Sequence, residues 1–126
     1  MNITRKNHTQ LGEPVGPYTH CVKFNNQIYT SGLTAFGTDA IDKNIVDQTK
    51  EIFKQLDILL KSENSGLNRL IKVTLFVSDI TLLSTVRDTL FDLYNSDIPA
   101  SSAVEVSNLF DPRVKIEIEA IAAVNP

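Results

Sequence analysis

The chain has 126 residues, 42% apolar and 21% charged, which suits one globular domain with its own core and leaves no room for a second. Twelve Lys and Arg against fifteen Asp and Glu leave a net charge of −3, with the cations scattered among acids, so no nucleic-acid partner is expected. A single cysteine, Cys21, excludes an internal disulfide, the first eight residues carry no apolar leader, and no apolar run is long enough to span a membrane, so a cytoplasmic location without a membrane partner is expected.

In chain order, the start through His8 reads as a mobile lead-in, and Gly16-Pro17 interrupts periodic structure and opens an extended entry. Strands are predicted from Thr19 to Phe24 and from Gln27 to Leu33, with Asn25-Asn26 as a tight turn, because Asn tolerates positive φ. Residues 36–44 are polar and read as an irregular loop. From Ile45, apolar side chains at Ile52, Phe53, Leu56, Leu59 and Leu60 recur at helical spacing, and the helix should stop near Asn64-Ser65-Gly66.

Leu70 to Val77 reads as a strand with Val73, Leu75 and Val77 on one face and Lys72, Thr74 and Phe76 on the other. Asp79 or Thr81 can cap a second helix whose stripe is Leu82, Leu83, Val86, Leu90, Leu93 and Tyr94. A strand from Ser101 to Val106, a loop holding Asp111-Pro112-Arg113 and a last strand from Val114 to Val124 complete the order β-β-α-β-α-β-β. Two helices with one apolar stripe each call for packing on one face of a sheet, an α+β domain. Ile116, Ile118, Ala120 and Ala122 suit the helix side, while Lys115, Glu117, Glu119 and Ile121 take the opposite face. Likewise Val104 and Val106 fall on one side of their strand, and Ser101, Ala103 and Glu105 on the other. The mixed second face is either solvated or a seam between subunits; composition alone leans to solvent.

Five stretches in order carry a resemblance: Gly16-Pro17-Tyr18, Thr30-Ser31-Gly32, Ile71 through Asp79, Pro99-Ala100, and Lys115 through Ala122. Together they resemble the RidA/YjgF family of reactive-intermediate deaminases. The resemblance implies a chorismate-mutase-like fold assembled as a homotrimer, with sites in the clefts between subunits. It implies hydrolysis of 2-imino or enamine acids to 2-oxo acids and ammonia, on a small-molecule ligand and with no cofactor or metal. Carried over by position, it implies Glu117 as the carboxylate that activates water. Tyr18, Ser31 and Gly32 are implied as substrate-binding positions. Where such proteins read Pro-Ala-Arg-Ser, this chain reads Pro99-Ala100-Ser101-Ser102, so Ser101 stands in the place of a carboxylate-binding arginine.

That change has a definite expected size. Hydrogen bonds to a charged partner contribute about 1.5–3 kcal/mol each, and a guanidinium fork makes two, so a hydroxyl should weaken carboxylate binding by more than about tenfold. Arg113 is too far along the strand to replace it within one subunit, and Arg87 is expected on the solvent side of its helix. The imino-acid activity is therefore expected to be weakened or redirected. The alternative is a trimer of the same family that binds a small molecule or a partner without catalysis.

The remaining polar residues read more plainly. Ser31 lacks the Gly-x-Ser-x-Gly context of an elbow nucleophile. His8 and His20 do not compose a Ser/His/Asp triad, and His20 reads as a hydrogen-bonded wall residue. Cys21 reads as a small buried apolar residue, and no Cys/His spacing points to a metal. A translation-inhibiting ribonuclease, an activity associated with some relatives, is disfavoured by the acidic balance and the lack of a histidine pair.

Overall fold

In the computed structural model, which describes residues 2–126, a six-stranded sheet carries two α-helices. The strands are β1 (Thr4–Lys6), β2 (Cys21–Phe24), β3 (Gln27–Thr30), β4 (Leu70–Val77), β5 (Ala100–Glu105) and β6 (Ile116–Ala123). The helices are α1 (Ile45–Ser62) and α2 (Leu83–Tyr94). The strand order is β1-β2-β3-β6-β4-β5, antiparallel throughout except for the β4–β5 pair. Parallel strands need a crossover, and α2 supplies it.

Local chemistry sets most boundaries. Asn25 and Asn26 take φ of 52° and 62°, the paired positive values of a hairpin turn whose twist matches its strands. Asn44 caps α1 by accepting from the Asp47 N–H at 2.9 Å, and Asp47 and Lys61 lie at the ends that suit the helix dipole. The reversal after α1 falls on Asn64, at φ 57°, while Gly66 is extended. Asp79 accepts from Thr81 N–H and caps a short 3-10 turn that runs into α2.

The apolar stripes meet as their periods dictate. Ile52, Phe53, Leu56, Leu59 and Leu60 of α1 and Val86 and Tyr94 of α2 pack with Val73, Leu75 and Val77 of β4 and Ile116, Ile118, Ala120 and Ala122 of β6. Each fully buried large side chain contributes about 1.5–3 kcal/mol of transfer free energy. Phe53 and Tyr94 add an edge-to-face pair with ring centres 5.6 Å apart. The other sheet face keeps Tyr29 and Glu119 exposed and Thr74, Phe76, Glu117 and Ile121 half-buried.

Three expectations are corrected. The lead-in is not a mobile tail: Thr4–Lys6 pair with Lys23, Val22 and Cys21, and His8 is buried. A three-residue edge strand lacks the alternation that marks longer ones, so its sequence is silent. The first predicted strands are also shorter than expected, with Leu33 kept only as an isolated bridge to Ile118. In β5, the register sets Ser101, Ala103 and Glu105 beside Val73, Leu75 and Val77, on the helix side of an exposed edge. Ser102 and Val104 stand beside Thr74 and Phe76 on the open face.

Candidate functional site

At one end of the sheet, the 11–20 loop, the turn after β3, α1, the 107–115 loop and β6 enclose a cavity of about 560 Å³. Tyr18, His20, Ser31, Gly32 and Glu117 all line it. The size suits a small molecule.

Glu117 reaches the cavity because it alternates with buried Ile116 and Ile118 along β6. Burial, and secondarily the neighbouring Glu119 charge, push its carboxyl above the ordinary range. An upward shift moves a carboxyl towards the range in which it can both take and give a proton. Gly32 is required beside it: a methyl there would stand 2.7 Å from Glu117 Cδ and 2.9 Å from Cγ. Any side chain at this position would push the Glu117 carboxylate aside.

Ser31 donates its hydroxyl to the Thr19 carbonyl at 2.5 Å, and its N–H bonds the His20 carbonyl. The hydroxyl proton is thus committed to backbone, and its lone pairs remain free to accept. Tyr18 accepts from the Val15 N–H at 3.3 Å, folding the loop over the cavity. The His20 ring accepts the His8 N–H at Nδ1, 2.8 Å away. Burial, then the neighbouring His8, lowers the His20 pKa against a smaller opposing pull from Glu13.

Ser101 is not brought to this cavity within one protomer. It lies two strands from Glu117 and three residues along the ladder, roughly 14 Å by strand geometry. Among the described residues lining the cavity there is no Lys or Arg, while Glu13 and Glu117 are both present. Arg113 is committed elsewhere: its Nε and Nη2 fork onto Asp111 at 3.2 and 3.0 Å, which holds the Asp111 carboxyl below its usual range. Arg87 is exposed on α2.

Several wall residues were not anticipated. Leu11, Glu13, Val15, Leu33, Thr34, Phe36, Gln55 and Phe110 complete the lining. Phe36 and Phe110 meet edge to face at 5.0 Å although 40% and 60% exposed, which makes an apolar mouth. The one sequence signal was an aromatic stranded in each of two polar loops. Gln55 was masked by its place on the polar side of α1, where its amide bonds the Thr34 carbonyl at 3.0 Å. The histidines, read as unrelated, are neighbours with ring centres 6.5 Å apart, but only His20 faces the cavity.

Comparison with known proteins bears on this arrangement. Residues 9–124 match the family described as endoribonuclease L-PSP. A RutC family protein of Buchnera aphidicola is 35% identical over 116 residues, covering 90% of each chain. The 2-iminobutanoate/2-iminopropanoate deaminase of Mus musculus is 29% identical over 122 residues, covering 94% of this chain and 89% of that one. Among solved structures, a Rid family protein, YyfA of Yersinia pestis, superposes with a TM-score of 0.89 at 30% identity, covering 98% of this chain and 100% of that one.

Proposed function

The chain belongs to the RidA/YjgF family, and from that premise we propose that it hydrolyses reactive imines or enamines to carbonyl compounds and ammonia, with a substrate range shifted by Ser101. The observation that carries this reading is the desolvated carboxyl of Glu117, held against Gly32 in a small-molecule cavity. Glu117 takes a proton from water as the water oxygen attacks the imine carbon. Glu117 passes that proton to nitrogen, giving the neutral carbinolamine, and the hydroxyl proton then moves through Glu117 to nitrogen as the C–N bond breaks, the C=O bond forms and ammonia leaves. Atoms and charge balance with one water consumed. Tyr18 and the Phe36–Phe110 pair supply a wall for a planar ligand, and Ser31 offers an acceptor.

The working form in this proposal is a homotrimer. Supporting it are an unpaired β5 edge exposed along its whole length and a sheet face carrying Tyr29, Phe76 and Ile121 with no layer over it. Ser101 would then reach a cavity only in another copy. With Glu13 and Glu117 in the lining and no described cation opposite, an anionic substrate is repelled. Neutral or cationic imines are favoured over 2-imino carboxylates. A cytoplasmic location, consistent with the free Cys21, belongs to the same reading; no helix among the described residues is long and apolar enough to cross a membrane.

The experiment generates 2-aminoacrylate in situ with a serine dehydratase, and carboxylate-free imines with an amine oxidase, and follows carbonyl release. Acceleration should be larger for the carboxylate-free imines, and Ser101→Arg should raise the 2-aminoacrylate rate at least about tenfold. No acceleration of either substrate, and none gained by Ser101→Arg, removes the enzyme. The second reading, a trimer that binds a small molecule without turnover, would then stand on the same cation-free cavity. A monomer in solution would remove both.

A further inference from the structure

Behind the cavity wall, three buried donors from distant parts of the chain come together. His8 follows β1, Cys21 opens β2 and Glu63 ends α1, and they are 8%, 1% and 3% exposed. Their ligand atoms all lie within 4.8 Å of one another. His8 Nε2 is 3.0 Å from Glu63 Oε2 and 3.9 Å from Cys21 Sγ.

The arrangement is not a catalytic relay. A relay needs the carboxylate on one imidazole nitrogen and the nucleophile on the other. Here the thiol and the carboxylate both face Nε2, so the three donors converge on one point. We propose that His8, Cys21 and Glu63 form a binding site for a divalent, zinc-like transition-metal ion.

Donor chemistry and spacing support this. Zinc takes imidazole nitrogen and carboxylate oxygen at about 2.0–2.1 Å and thiolate sulfur at about 2.3 Å, which puts tetrahedral neighbours roughly 3.3–3.6 Å apart. The separations from His8 Nε2, 3.0 and 3.9 Å, straddle that range, and the sulfur and the carboxylate oxygen, within 4.8 Å of each other, would draw together on the ion. A thiolate and a carboxylate balance a 2+ ion once Lys6 and Lys23, which stand against Glu63 Oε1, have swung out to solvent.

The surroundings hold the donors and leave a way in. His8 is fixed through its backbone N–H, which bonds His20 Nδ1. The second carboxylate oxygen, Oε1, sits 3.3 Å from Lys6 Nζ and 3.2 Å from Lys23 Nζ, but neither contact has hydrogen-bond geometry. Glu63 is therefore a nearly fully buried carboxylate with one oxygen unpartnered by any directed donor. The lysine side chains are 45% and 28% exposed, so they can swing to solvent and open an entry path while their stems stay packed.

Binding balances simply. The ion replaces the Cys21 thiol proton, which is released. His8 takes the ion at Nε2, with its remaining ring proton on Nδ1. Water or Glu63 Oε1 takes the fourth position. The ion would clasp the N-terminal strand and the end of α1 to β2, one residue from the cavity wall at His20.

The test titrates the full-length protein with cobalt(II), then with zinc(II). One cobalt per chain should bind with a thiolate-to-metal charge-transfer band and tetrahedral ligand-field absorption, both lost when zinc is added. Cys21→Ser should abolish the charge-transfer band. His8→Gln should weaken cobalt binding at least about tenfold. Far-UV circular dichroism and thermal melting of both variants, without metal, separate loss of ligand from loss of fold. A native protein that shows no charge-transfer band, or a band that persists in folded Cys21→Ser, overturns the site. Either result leaves the hydrolysis proposal untouched.

Discussion

Gln48 offers a sharp test of how the cavity wall is held. It is fully buried on the first turns of α1, and its amide nitrogen donates to the carbonyls of Ile41, Lys43 and Arg113 at 3.2, 3.1 and 2.8 Å. Its amide oxygen accepts the Lys115 N–H at 2.9 Å. One side chain thus ties α1 to the loop that carries Phe110. Gln48→Leu keeps helix propensity and removes both polar ends while branching one carbon earlier, so the backbone term changes little. The Ile41 and Lys43 carbonyls lie in a polar loop and can turn to water. The Arg113 carbonyl and Lys115 N–H flank Val114, 1% exposed, and stay dry. Two stranded groups at about 1–3 kcal/mol each give a loss of roughly 4 kcal/mol, a large part of the stability of a domain this size. Gln48→Glu should cost more, since it keeps one acceptor but faces a carboxylate oxygen towards three carbonyls. Urea unfolding measures the loss, and hydrogen exchange at the Lys115 amide should speed up. A Gln48→Leu protein within about 1 kcal/mol of the parent, or a Gln48→Glu protein as stable as the parent, would refute the reasoning.

Three further outcomes follow from single contacts. Gly32→Ala drives a methyl into Glu117, so thermal stability should fall by about 1–3 kcal/mol while imine turnover falls at least tenfold; unchanged turnover would mean the carboxylate does not act from that position. For Glu117 the folded pKa is raised, so the stability it permits is full below the unfolded value and lost as pH rises through the folded one. Gln cannot ionise, so Glu117→Gln should melt higher than the parent near neutral pH, with the gap closing below roughly pH 4. A constant gap across that range would contradict it. Asn44→Ala removes the α1 cap and should lower stability by about 1 kcal/mol in urea unfolding, with Asn44→Ser restoring most of it.

How much of the site could be read in advance depended on sequence distance. Tyr18, Ser31, Gly32 and Glu117 were legible because short motifs carry them, and the fold gathers them into one cavity. Ser101 was legible as a substitution but not as a location, since only the β4–β5 register sets it far from Glu117 in one protomer. Gln55 looked like a solvated helix position, and Phe36 and Phe110 looked like loop residues, because the loops that meet over them are far apart in the chain.

By itself the sequence determined the two helices, the β2–β3 hairpin and the long strands β4 and β6, with the apolar face of each helix and long strand. The stripe through Ile52, Leu56 and Leu59 and the alternation through Ile116, Ile118 and Ala120 are local periods, and a period of 3.6 or 2 states which side of an element avoids water. Tertiary structure alone decided what converges: the short β1 strand, the cation-free lining of the cavity, and the meeting of His8, Cys21 and Glu63. Those depend on strand register and loop paths, where free energy comes from contacts between residues distant in sequence, and no local pattern records which distant partner a donor will face.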